Sequence, residues 1–125
     1  MTKEEKDLLL KDLSPRLPYG VKILTYKLDY FHNPSSIETL YEINEDGYIS
    51  TVESDTLRPI GKPYLFPLSS MTTKQKAELS MLVGGVVDIF KSFLIEVEFY
   101  HKHHIDYRGL IPMGLAIDAT GLNIY

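Results

Sequence analysis

Apolar positions recur at two different periods along this chain. The switches between them mark a short helical start, a β-rich middle and a helical second half. Residues 2 to 13 read as a helix: Thr2 and Glu5 have capping-box spacing, and Leu9 and Leu13 share a face. Pro15 and Pro18 end it. From Val21 to Tyr30 strict alternation puts Leu24, Tyr26, Leu28 and Tyr30 on one side, which predicts a strand, and Phe31 to Ser36 a loop. Thr39–Ile43 and Tyr48–Val52 flank Asn44-Glu45-Asp46-Gly47, where Asp-Gly supplies the positive φ of a tight hairpin.

The segment Leu57 to Leu68 holds Pro59, Gly61, Pro63 and Pro67, too many breakers for a sheet interior. An extended crossing pinned by Leu65, Phe66 and Leu68 is expected there. Thr72 and Gln75 form a second capping box ahead of a helix from Thr73, and Gly84-Gly85 predicts a break or bend in it. Beyond the break Val86, Phe90, Phe93, Val97 and Tyr100 make one apolar stripe of a helix running to about His103, with a strand over Leu94–Tyr100 as the alternative. Gly109 reads as a C-terminal stop, and Leu110–Ile117, interrupted by Pro112 and Gly114, as a loop over the core. The expected fold is α+β in a single domain, 1–125: a small, mostly antiparallel sheet of about three strands with one hairpin, packed against two or three helices.

Composition narrows the chemistry. A chain of 125 residues can hold a core without covalent staples, and the absence of cysteine removes thiol nucleophiles and thiolate metal sites while fitting a reducing cytoplasm. No run approaches the ~20 apolar residues of a membrane span, and the charged first residues are unlike a signal peptide, so a soluble cytoplasmic protein without membrane attachment is expected. The net charge of −4 argues against nucleic acid as a partner. Glu38, Glu42, Glu45, Asp46, Glu53 and Asp55 predict an acidic face, and Arg58, Lys62, Lys74 and Lys76 a basic edge. Nine tyrosines and no tryptophan suit interface contact, with Tyr19, Tyr26, Tyr30, Tyr41 and Tyr48 on the expected strands.

Chemically able side chains concentrate in His103-His104-Ile105-Asp106-Tyr107-Arg108-Gly109-Leu110-Ile111. His101, His104 and Asp106, with His32 free to approach, could hold zinc or nickel. On a helix, however, His101 and His104 share a face while His103 points away. Arg108 could clamp an anion with Asp106 orienting it, whereas a helix-terminating turn uses the same residues routinely and is the preferred reading. No phosphate loop, nucleophile elbow or His-Glu-x-x-His motif occurs, so the reading leans away from an enzyme and implies no cofactor.

Three blocks, Leu17–Gly20, Lys62–Thr72 (KPYLFPLSSMT) and His103–Ile111 followed by Gly114-Leu115-Ala116, resemble those of an uncharacterised family of short phage and prophage proteins from gut Bacteroidetes. The resemblance implies a phage-associated origin and a shared fold, and transfers no catalytic residue. Phe66 stands where the family usually has Arg, and His101 where it usually has Asn, so the histidine triplet is particular to this chain.

The expected function is a protein–protein interaction module contacting itself, a phage protein or a host protein through the tyrosine-bearing sheet face or the apolar C-terminal segment, with homo-oligomers among its assemblies. The alternative is a small enzyme or metal-binding protein whose site joins His103, His104, Asp106, Tyr107 and Arg108 to Tyr64 and the loop up to Ser70.

Overall fold

Thr2 opens the chain with the capping box its spacing predicts: its hydroxyl accepts the Glu5 amide at 3.1 Å, and the Glu5 carboxylate accepts the Thr2 amide at 3.0 Å. In the computed structural model, which describes residues 2–25 and 36–125, this cap starts helix α1, Lys3–Leu13. α1 buries Leu9 and Leu13 and, beside them, Asp12. Pro15 ends the α-helix by opening a 3-10 segment, Ser14–Tyr19, where its missing amide is not needed. Tyr19 therefore lies in a helical turn rather than on a strand.

Strands β1 (Lys22–Thr25), β2 (Ser36–Ile43), β3 (Tyr48–Thr51) and β4 (Arg58–Pro59) form an antiparallel sheet in that order. Ser36 pairs with Thr25 and so belongs to β2, not to the expected loop. The expected strand positions 26–30 and the rest of that loop, His32 included, lie outside the described residues. The β2–β3 turn is the predicted hairpin: Gly47 has φ +81° and its amide donates to Asn44 O at 3.1 Å.

The proline-rich segment departs from expectation. Tyr64–Pro67 forms β5, the middle strand of a second, parallel sheet in which β6 (Ile105–Asp106) and β7 (Ile117–Asp118) flank it. Pro63 and Pro67 bracket the strand, and both prolines still accept or pair at its ends: Ile117 N donates to Pro63 O at 2.8 Å, while Pro67 sits opposite Asp106. Gly61 lets the segment reach the first sheet. A Cβ there would stand 2.0 Å from Leu24 O, and the neighbouring Lys62 carbonyl accepts the Leu24 amide at 2.9 Å.

Between β5 and β6 the chain makes an excursion through two helices. α2, Thr73–Val83, starts at the Thr72–Gln75 capping box and stops at Gly84, with Gly85 at φ +82°. α3, Ile89–Lys102, is capped by Asp88, whose carboxylate accepts the Phe90 and Lys91 amides. Residues 94–100 are helical, which removes the strand alternative. Because Phe66 pairs with Ile105, the excursion leaves and returns at neighbouring strands.

One core cluster unites these parts: Leu9 and Leu13 of α1, Val21 and Ile23, Leu40, Ile49 and Leu65 of the strands, and Leu110, Leu115 and Ala116 of the C-terminal segment. That segment is the expected loop, exposed at 112–114, whose Leu110, Leu115 and Ala116 enter the core, and Ile117 continues into β7. The architecture is α+β. Among the described residues no helix is long and apolar enough to cross a membrane.

Candidate functional site

Asp12 and Arg16 face each other one helical turn apart, both side chains fully buried, with Arg16 Nε donating to Asp12 Oδ2 at 2.9 Å. Arg16 Nη2 also donates to Ile105 O at 2.8 Å, which carries the pair from the first helix to β6. Arg108 closes on the same carboxylate, Nε to Oδ1 at 3.2 Å. Both guanidiniums also lie against the Tyr107 ring, with Arg16 Cζ 5.5 Å and Arg108 Cζ 5.1 Å from its centroid. Tyr100 stacks on that ring at 5.5 Å, and the Tyr107 hydroxyl shares a 2.8 Å hydrogen bond with His101 Nε2.

Each charged group in this cluster has a partner within the protein, although Arg16 Nη1 is buried without a hydrogen bond among the described residues. Asp12 holds two arginines, and both oxygens of Asp106 accept backbone amides, from Leu110 and Ile111 at 2.9 Å. That is the turn geometry weighed against the clamp: Asp106 shapes a turn and does not orient Arg108, whose partner comes from α1. Burial lowers the pKa of His101, and the Arg16 charge adds to the effect, so its imidazole is neutral at pH 7.

His104 faces another way. It has φ +59° just beyond α3, the left-handed position where a helix end usually takes glycine, so it, not Gly109, terminates this helix. Its ring stacks on Tyr125 at 3.7 Å and 14°. Burial above all, then the Arg16 charge, holds its pKa down to about 4. Tyr125 in turn donates to Tyr64 O at 2.6 Å and accepts the Lys22 amide at 2.7 Å, which brings Tyr64 to the same neighbourhood through its backbone. His103 packs against Phe99, 4.4 Å between rings.

The residues singled out by sequence therefore gather around two aromatic stacks instead of one reactive centre. His101, Tyr107 and Arg108 meet on one, His104 and Tyr64 on the other, and Asp106 serves the turn between. Among the described residues no three His, Asp or Glu side chains come together to hold a metal ion, so His101, His104 and Asp106 do not form the ligand set weighed above. Sequence reasoning missed Asp12 and Arg16. Their i, i+4 spacing was the available signal, and it reads equally as an exposed helical pair.

No protein-family model, curated protein or solved structure matches the chain.

Two surface features stand apart from the buried clusters. The first is a groove of about 640 Å³ along β2, β3 and the turn after them, lined by Tyr41, Glu42, Val52, Glu53, Asp55 and Leu57. It keeps part of the expected acidic face. Glu38 is not in it, because Arg58 takes its carboxylate through two 3.0 Å hydrogen bonds in the sheet interior.

The second feature is the α2–α3 hairpin. α2 buries none of its residues. On α3 the predicted stripe turns outward at its first half: Phe90 is 81% exposed and Phe93 61%, joined by Ile89 at 82% and Val87 at 94%. Met81 and Leu94 extend the same apolar surface. Only the end of α3 reaches inward, through Phe99 and His101. Between the helices a cleft of about 300 Å³ is walled by Leu82, Ile95 and Phe99 and rimmed by Glu78, Glu98 and Lys102.

Proposed function

We propose that this chain is a protein–protein interaction module of phage-associated origin whose contact surface is the α2–α3 hairpin. The observation that carries the reading is a helix with no buried residue next to a helix whose apolar stripe faces water. Isolated helices of this length are marginal in water, and amphipathic helices are normally stabilised by covering the apolar face. A hairpin that covers neither is built to be covered by something else. The tyrosine-bearing sheet face is a smaller candidate, with Tyr41 and Tyr48 exposed, and the C-terminal segment drops out because Leu110, Leu115 and Ala116 are core. The three sequence blocks support a phage-associated origin, and a chain without cysteine suits the cytoplasm.

The alternative of a small enzyme or metal-binding protein at His103–Arg108 has one observation in its favour: His103 Nε2 and His104 Nδ1 are buried without a hydrogen-bond partner among the described residues. The two nitrogens belong to rings held in different stacks, and the neighbouring carboxylates are already occupied.

Native mass spectrometry of untagged protein, alone and after mixing with host lysate, tests the proposal. The expected result is a stoichiometric protein complex, with itself or another chain, that disappears in F90S/F93S while the folded core persists. A retained metal or small molecule in place of a protein partner, or a complex indifferent to the two substitutions, overturns it.

A further inference from the structure

Resting on the reading of the hairpin as a contact surface, we infer that its occupant is a second copy of the same hairpin, the two pairs of helices forming a four-helix interface about a twofold axis. Three features of the surface fit a copy of itself.

Area is the first. The exposed apolar residues between Met81 and Leu94 together present on the order of 1,000 Å², comparable to the ~800 Å² each partner contributes to a stable complex. Two copies would thus bury an interface of standard size with no help from the rest of the protein.

Charge is the second. Residues 73–102 carry Lys74, Lys76, Lys91 and Lys102 against Glu78, Asp88, Glu96 and Glu98, a balance of zero in a chain of net −4. A surface of net sign would repel its own copy and select an oppositely charged partner. This one does neither.

Shape is the third. A twofold interface uses one patch twice, so the patch must be able to pack against itself. On α3 the exposed Ile89, Phe90, Phe93 and Leu94 fall on one side of the helix, a raised stripe that can be laid against its own copy, while the Leu82–Ile95–Phe99 cleft opens on the other side. Two helices in contact and joined by a short turn can also supply half of a four-helix interface, which a second pair completes.

Light scattering and sedimentation of the full untagged chain over a wide concentration range test this directly. The expected mass is twice the 14.3 kDa of one chain, with a melting temperature that rises with concentration. F90S/F93S should fall to the single-chain mass with unchanged far-ultraviolet circular dichroism. F90E, which puts the same charge on both copies, should weaken association by about thirty-fold or more even if the double variant folds poorly. A wild-type protein that is monomeric throughout overturns self-pairing but leaves the interaction module standing if a host protein is captured in a Phe90-dependent way. A dimer that survives all three substitutions overturns both, because its interface lies elsewhere. A mass beyond two chains overturns the closed twofold pairing.

Discussion

Arg108 reaches across 96 residues of sequence to place its Nε 3.2 Å from Asp12 Oδ1, so the C-terminal turn is tied to the first helix by a carboxylate that already holds Arg16. Asp12 is the shared member of that bracket. Removing it should cost far more than removing either outer arm.

D12A is expected to destabilise the protein by about 3–5 kcal/mol, because it strands the buried Arg16 charge without its partner. R108A should cost only about 1 kcal/mol, since that side chain is 27% exposed and solvent screens its contribution. Urea denaturation of the two variants at neutral pH checks the ordering, and comparable losses would mean that Asp12 is not the shared anchor.

Glu38 predicts an acid-sensitive sheet. Its carboxylate accepts from Arg58 and from the Thr25, Ser36 and Thr51 hydroxyls, and the Arg58 bonds foremost hold its pKa far below the ordinary 4.5. As pH falls below 4.5 the unfolded chain therefore takes up this proton first, and stability that is fully present above that pH is lost. Denaturation midpoints of wild type and E38Q should differ most at neutral pH and converge in acid. A gap that stays constant from pH 7 to acid would remove Glu38 from the account.

His104 works in a higher window. With its folded pKa held down near 4, the unfolded chain binds the proton first as pH drops below 6.5, so its contribution is complete above 6.5 and fades toward 4. His101, lowered in the same direction, adds to this slope. Proton-detected titration of the imidazole Cε1–H signals should find His104 still neutral at pH 5.5. H104N, whose side chain tolerates the left-handed backbone, should flatten the stability profile between those limits.

Gly61 is expected to reject even a methyl group. G61A would set a Cβ against the Leu24 carbonyl, a backbone atom fixed by the neighbouring Leu24–Lys62 hydrogen bond, and should cost about 1–3 kcal/mol. G85A meets no neighbour within 4 Å and suffers only its φ of +82°, so it separates crowding from backbone strain. A G61A melting curve no lower than that of G85A would contradict the close approach.

What the sequence made legible was local. Both capping boxes, the Asp-Gly hairpin and the break at Gly84-Gly85 depend on residues within one or two turns of each other, and all are in the structure. β6 and β7 were hidden because strands of two residues have no period to detect, and without them β5 reads as a proline-broken crossing. Asp12 and Arg16 were hidden because their burial depends on Ile105 arriving from 89 residues away. The α3 stripe was visible, but periodicity identifies an apolar face without saying what covers it.

The hairpin is slung between β5 and β6, two strands that lie side by side. Changing its length or sequence therefore need not move the register of those strands or the core beneath. The fold and the surface proposed for contact are thereby carried by separate stretches of one short chain.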